Sequence, residues 1–123
     1  MTQAVVTVQM EARRQGFSEE QALRLGTAAS ELARNILKYA QPSCGDLVIT
    51  IEQHGHAQRL VLQARDNGPG IANLEAALLD HMSTGGTLGL GLPGVRRLMD
   101  GFNVRSQAGQ GTLVTVFLQR RTA

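Results

Sequence analysis

Apolar residues recur at helical spacing from Ala4 to Ala40, with one interruption at Gly16-Phe17-Ser18. Ser18 followed three residues later by Gln21 reads as a capping box, so two helices are expected, the second opening just after Ser18. The period then changes. Residues Leu47 to His54 and Leu60 to Asp66 alternate apolar and polar, as half-buried strands do, with a polar turn at Gly55 between them. Asn67-Gly68-Pro69-Gly70 stops the second strand. A short helix is expected over Leu74 to Leu79. It is followed by a glycine-rich stretch from Ser83 to Gly91, a composition expected to move. Pro93 suits the first turn of another helix, in which Val95, Leu98, Met99 and Phe102 repeat at helical spacing. Val104 to Ser106 and Leu113 to Leu118, joined across Gly109-Gln110-Gly111, form a last hairpin. The pattern predicts an α+β, two-layer sandwich: a mixed sheet with its helices on one face.

Length and charge narrow the function. With 123 residues the chain is expected to be a single domain, residues 1–123, with one site. A formal charge of +2, acids and bases interspersed, argues against a nucleic-acid groove or a membrane-surface patch. After Asp100 only bases remain (Arg105, Arg120 and Arg121), and these read as solvated arginines. The single cysteine, Cys44, excludes an intramolecular disulfide and has no zinc or redox motif around it. No basic segment leads into an apolar run, and no stretch approaches the ~20 apolar residues of a membrane span. A soluble, cytoplasmic protein is expected.

Three stretches carry candidate chemistry. On the second helix, at about 100° per residue, Glu31, Asn35, Lys38 and Tyr39 fall on one edge, beside an apolar stripe of Leu25, Ala29, Leu32 and Ile36. An acid, an amide, an amine and a phenol there can accept a proton, bind a metal, contact phosphate and stack; alone, the same edge reads more readily as a solvated face. Asp66 is in phase with Leu60, Leu62 and Ala64, so its carboxylate points to the core side and needs donors there, from backbone or from a ligand such as an exocyclic amine. Gly68 and Gly70 allow close backbone approach, and Thr112, in phase with Val114, Val116 and Leu118, faces the same interior. Taken by itself, Asp66 to Gly70 is also an ordinary tight turn. Finally, the run from Ser83 to Gly94 leads a glycine-rich loop into a helix N-terminus, an arrangement suited to phosphate. Gly89, Gly91 and Gly94 match G-x-G-x-x-G literally. That dinucleotide fingerprint is rejected because no strand precedes it and no acid follows about twenty residues on. No Gly-Lys-Ser/Thr P-loop occurs.

In this order the three stretches resemble the GHKL superfamily of ATP-binding domains shared by gyrase, histidine kinases and anti-sigma-factor kinases. Ser30-Glu31-Leu32-Ala33-Arg34-Asn35 resembles the N box, Asp66 to Ile71 the first glycine box and Gly85 to Gly94 the second. Glu31 to Asn35, together with Gly89 to Asp100, is most similar to the RsbT-type serine/threonine switch kinases. The resemblance implies a Bergerat-type fold, ATP and magnesium as cofactors, Glu31 as general base and Asn35 as magnesium ligand. It also implies nucleotide contacts from Lys38 and Tyr39, an adenine contact from Asp66 supported by Thr112, and a pocket shaped by Gly68, Gly70 and Ile71. A lid containing Thr84, Gly85, Gly86, Leu88, Gly89 and Leu90 follows, with Gly89, Gly91 and Gly94 placing backbone donors on the phosphates. The implied partner is a STAS-type antagonist protein as phosphorylation substrate, with a phosphatase or a sigma factor as others.

One departure is visible: relatives begin with an edge strand, whereas here only Met1 to Gln3 precede the helical pattern. An uncovered sheet edge of that kind invites a homodimer. Two other functions fit the motifs. Asn35-Ile36-Leu37-Lys38-Tyr39-Ala40 resembles a histidine-kinase N box, although that family usually carries Asn where Glu31 stands. A binding module that uses ATP only to set its shape would look the same in sequence. His54, His56 and His81 lie in turn or loop contexts and are expected to be exposed.

Overall fold

A computed structural model describes residues 2–39, 45–70 and 91–122. Helices α1 (Thr2–Arg14) and α2 (Glu19–Tyr39) come first, then strands β1 (Gly45–His54) and β2 (Ala57–Asp66), helix α3 (Gly91–Leu98), and strands β3 (Gly101–Gln107) and β4 (Gly111–Arg121). The capping box forms as the sequence predicts. The Ser18 backbone N–H donates to Gln21 Oε1 at 3.0 Å and the Gln21 N–H donates to Ser18 Oγ at 3.1 Å. Glu19 and Glu20 in the first turn add negative charge where the helix dipole favours it.

The sheet order is β1-β2-β4-β3, and every neighbouring pair is antiparallel. The α+β sandwich stands, but the expectation of mixed pairing is corrected. β2 and β3 do run the same way, as a helical crossover requires, but β4 lies between them and pairs antiparallel with both. A second correction concerns Phe102. It continues the helical spacing of Val95 and Leu98, yet α3 ends at Leu98 and Phe102 belongs to β3. The Asp100 N–H donates to the Phe117 carbonyl at 3.0 Å, and Gly101 sits opposite Phe117, whose ring fills the space a Cβ there would need. Pairing with β4 outweighs the local period.

α2 is the central helix, packed against α1 on one side and against α3 and the sheet on the other. Its stripe of Leu25, Ala28, Ala29 and Leu32 is fully buried. It meets Leu60, Leu62, Val114, Val116 and Leu118 from the inward positions of β2 and β4, together with Val95 and Met99. Each fully buried Leu or Val contributes on the order of 1.5–3 kcal/mol, so this contact fixes α2 against β2 and β4. No helix crosses the opposite sheet face among the described residues. There Arg59 stacks over the Phe117 ring at 4.4 Å, and Arg65 pairs with Asp46 at 3.2 Å. No helix among the described residues is long and apolar enough to cross a membrane.

Candidate nucleotide-binding site

Burying one stripe of α2 leaves its next edge facing the ends of β2 and β4. Leu32, Asn35 and Ile36 from α2, Ala64 and Asp66 from β2, and Thr112 and Val114 from β4 line one cleft. Thr112 is the register partner of Asp66, and the Thr112 and Ser106 hydroxyls share a hydrogen bond of 2.9 Å. Asp66 Oδ1 accepts from the Gly68 N–H at 2.9 Å. A carboxylate has about four acceptor positions, so Asp66 retains capacity for a further donor inside the cleft. Asn35 Nδ2 is buried and has no hydrogen-bond partner among the described residues. An orphaned buried amide costs about 1–3 kcal/mol, which a bound polar group would recover. Apolar walls with a few convergent polar groups have the chemistry that a heterocyclic base with an exocyclic amine requires, while at about 10 Å³ the cleft has room for about one water and would have to widen to admit a base.

One turn before Asn35 on α2 stands Glu31, only 6% exposed. Its Oε2 accepts from the Gly91 N–H at 3.2 Å, and Arg34 Nη1 lies 3.8 Å from its Oε1. Gly91 opens α3 with φ at 68°, a left-handed conformation that L side chains rarely adopt. Leu92, Pro93, Gly94 and Val95 follow it into the interior, anchoring the start of α3 beside α2.

The turn after β2 is braced from the other side. The Gly109 N–H donates to the Pro69 carbonyl at 2.9 Å, tying the turn to the β3–β4 hairpin. Gly70 has φ at 84°, and a Cβ there would fall 2.5 Å from the Gln107 carbonyl oxygen. That glycine therefore admits the hairpin to the turn.

Of the residues singled out in the sequence, Asn35, Asp66 and Thr112 meet in one cleft, Gly68 donates to Asp66, and Glu31 meets Gly91. Gly70 lies against the hairpin and Gly94 is buried in α3. Ile71, Thr84, Gly85, Gly86, Leu88, Gly89, Leu90, His81 and the helix expected over Leu74 to Leu79 lie outside the described residues, as do the side chains of Lys38 and Tyr39. His54 and His56 are exposed, and His54 Nε2 contacts Glu52 at 2.8 Å. Sequence reasoning missed two residues. Arg34 was findable, since it stands three residues after Glu31 on a helix. Ser106 was not, because its approach to Thr112 depends on the hairpin register.

Residues 20–122 match the family described as Histidine kinase-, DNA gyrase B-, and HSP90-like ATPase. Over 103 residues the chain is 47% identical to the serine/threonine-protein kinase RsbT of Bacillus subtilis, covering 82% of this chain and 74% of RsbT. Over 111 residues it is 34% identical to the sensor protein kinase PmrB of Pseudomonas aeruginosa, covering 80% of this chain but only 22% of PmrB. Among solved structures, the mycobacterial sensor histidine kinase MprB shares the fold, with a TM-score of 0.59 at 22% identity over 83% of this chain and 74% of that one. With its α+β fold and its cleft at the ends of α2, β2 and β4, the chain belongs to the histidine kinase-, gyrase B- and HSP90-like ATPases, and within them to the RsbT-like serine/threonine-protein kinases.

Proposed function

We propose that this chain is an ATP- and magnesium-dependent serine/threonine protein kinase and partner switch of the cytoplasm. It would act on a STAS-type antagonist protein in bacterial stress and sigma-factor signalling. The observation that carries the reading is the pairing, one helical turn apart on α2, of the buried Glu31 carboxylate with the orphaned Asn35 amide, beside a cleft ending in Asp66. In this reading Asp66 accepts from the adenine amino group, with Thr112 and Ser106 fixing that end of the sheet. Glu31 takes the proton of a substrate serine or threonine hydroxyl as its oxygen bonds to the γ-phosphorus and the bond to the β-phosphate oxygen breaks, leaving ADP. Bound magnesium would neutralise developing charge on the phosphate oxygens. The Asn35 amide oxygen fits such a role, because Mg²⁺ takes one or two protein oxygens and keeps phosphates and waters for the rest. Glycine-edged backbone at the start of α3 offers N–H groups to the phosphates.

The likeness to PmrB and MprB favours a second reading, a histidine-kinase-type ATP-binding domain. Glu31, a proton acceptor where histidine kinases usually carry Asn, weighs against it. A docking module that controls a phosphatase or sigma factor would keep partner control in an Glu31→Ala variant that has lost phosphoryl transfer. Pairing through an exposed sheet edge, β1 or β3, is our proposal for a homodimer.

Titration calorimetry of ATP with and without magnesium, on the wild type and on Asp66→Asn, tests the pocket. Magnesium-dependent binding weakened about ten- to a hundredfold in the variant is expected, as for loss of a hydrogen bond to a charged group. Equal affinity in both proteins would remove Asp66 from the site.

A further inference from the structure

We infer that Glu31 is also the resting occupant of the phosphate end of the site, holding the α3 amide that the nucleotide's terminal phosphates must take. This rests on the nucleotide reading above. The Gly91 N–H donates to Glu31 Oε2 at 3.2 Å, and the carboxylate is almost wholly buried. Gly91 is left-handed at φ 68°, a conformation a side-chain-bearing residue would resist, so the amide is presented to α2 by the choice of glycine. A carboxylate at a helix start is held by the same unpaired donors and dipole that hold a phosphate. One N–H cannot satisfy both anions, and two like charges a few ångströms apart repel.

The neighbouring group reinforces the point. One turn on, Asn35 Nδ2 is buried with no partner among the described residues. The same helix edge thus carries one polar group satisfied from within the described residues and another that none of them satisfies. Arriving phosphate displaces Glu31 from Gly91, and Arg34, 3.8 Å from the other carboxylate oxygen, retains it on the same edge. Loss of the Gly91 donor opens a further acceptor position on the carboxylate when phosphate is in place. The hydrogen bonding of the catalytic carboxylate is thereby coupled to occupancy of the site.

The test uses the whole chain as Glu31→Asp and Glu31→Ala, with folding checked by circular dichroism and affinities for ATP and AMP measured by calorimetry. Glu31→Asp keeps the charge but shortens the reach by about 1.5 Å, so it separates the contact from simple repulsion. ATP is expected to bind about three- to tenfold tighter to both variants, with AMP unchanged, because AMP has no terminal phosphates to compete. Tightening in Glu31→Ala but not in Glu31→Asp would reduce the effect to charge repulsion and overturn the inference. So would equal tightening of ATP and AMP. A second readout needs no nucleotide: the Gly91 amide proton should exchange with solvent faster in Glu31→Asp than in the wild type. Unchanged exchange with normal ATP binding would sink the contact and leave the nucleotide site standing. Failure of every form to bind either nucleotide would sink the site itself, and the inference with it.

Discussion

A methyl group at Gly70 would meet the Gln107 carbonyl oxygen at 2.5 Å and would have to sit at φ 84°. Both penalties act together. Gly70→Ala is expected to lower unfolding stability by about 1–3 kcal/mol in urea titration, since strain of this kind costs that order and the hairpin contact must give way. ATP affinity should fall with it, because the same turn carries the Gly68 N–H that fixes Asp66. An unchanged urea midpoint would show that the β3–β4 turn yields freely. The site residues at this scale were legible where phase alone decides their direction. Asp66 follows Leu60, Leu62 and Ala64 inward, and Thr112 precedes Val114 and Val116 on the facing strand. Arg34 was open to the same reading through its spacing from Glu31, whereas Ser106 matters through a partner that only the hairpin register supplies.

Among the elements, the α1–α2 junction shows what local chemistry can specify. The two reciprocal bonds between Ser18 and Gln21 satisfy donors at the start of α2. Gln21 also donates from its side chain to the Gln119 carbonyl at 2.9 Å, tying the helix start to the far end of β4. Ser18→Ala is expected to cost about 1 kcal/mol, read as a lower thermal midpoint with the native circular dichroism spectrum retained. No loss would mean that Glu19 and Glu20 already satisfy the helix start.

The cap lay open in the sequence because all its partners fall within one turn. The beginning of β2 did not. Ala57, Gln58 and Arg59 carry no apolar alternation, and they are strand because they pair with His54, Gln53 and Glu52 of β1 on one side and with Arg121, Arg120 and Gln119 of β4 on the other. Phe102 was misread for the same reason, its helical spacing overruled by the pairing of Gly101 with Phe117. Fold class and both hairpins were therefore readable from periods, whereas the full strand order was not, because β2 and β4, neighbours in the sheet, are far apart in the chain.

For the molecule as a whole, the cleft joins α2 to both central strands, so a ligand held there binds only the assembled form. Magnesium and ATP at a hundredfold above the dissociation constant are expected to stabilise the chain by about 2.7 kcal/mol, a rise in melting temperature on the order of 10 °C. AMP without magnesium, at a concentration equal to that of ATP, should raise it less. Equal rises would show that the phosphates add nothing to the stability of the bound state.

The insertion of β4 between β2 and β3 also sets an order of events in time. During synthesis α1, α2 and the β1–β2 hairpin emerge first, and their contacts are local enough to form early. β2 must then wait with one edge unpaired until residues 111–121 leave the ribosome, and Asp66 waits with it for Thr112. β4, made after the strands it joins, closes both the core and the pocket, so a nascent chain gains its ligand-binding cleft in the same step that covers the open edge of β2.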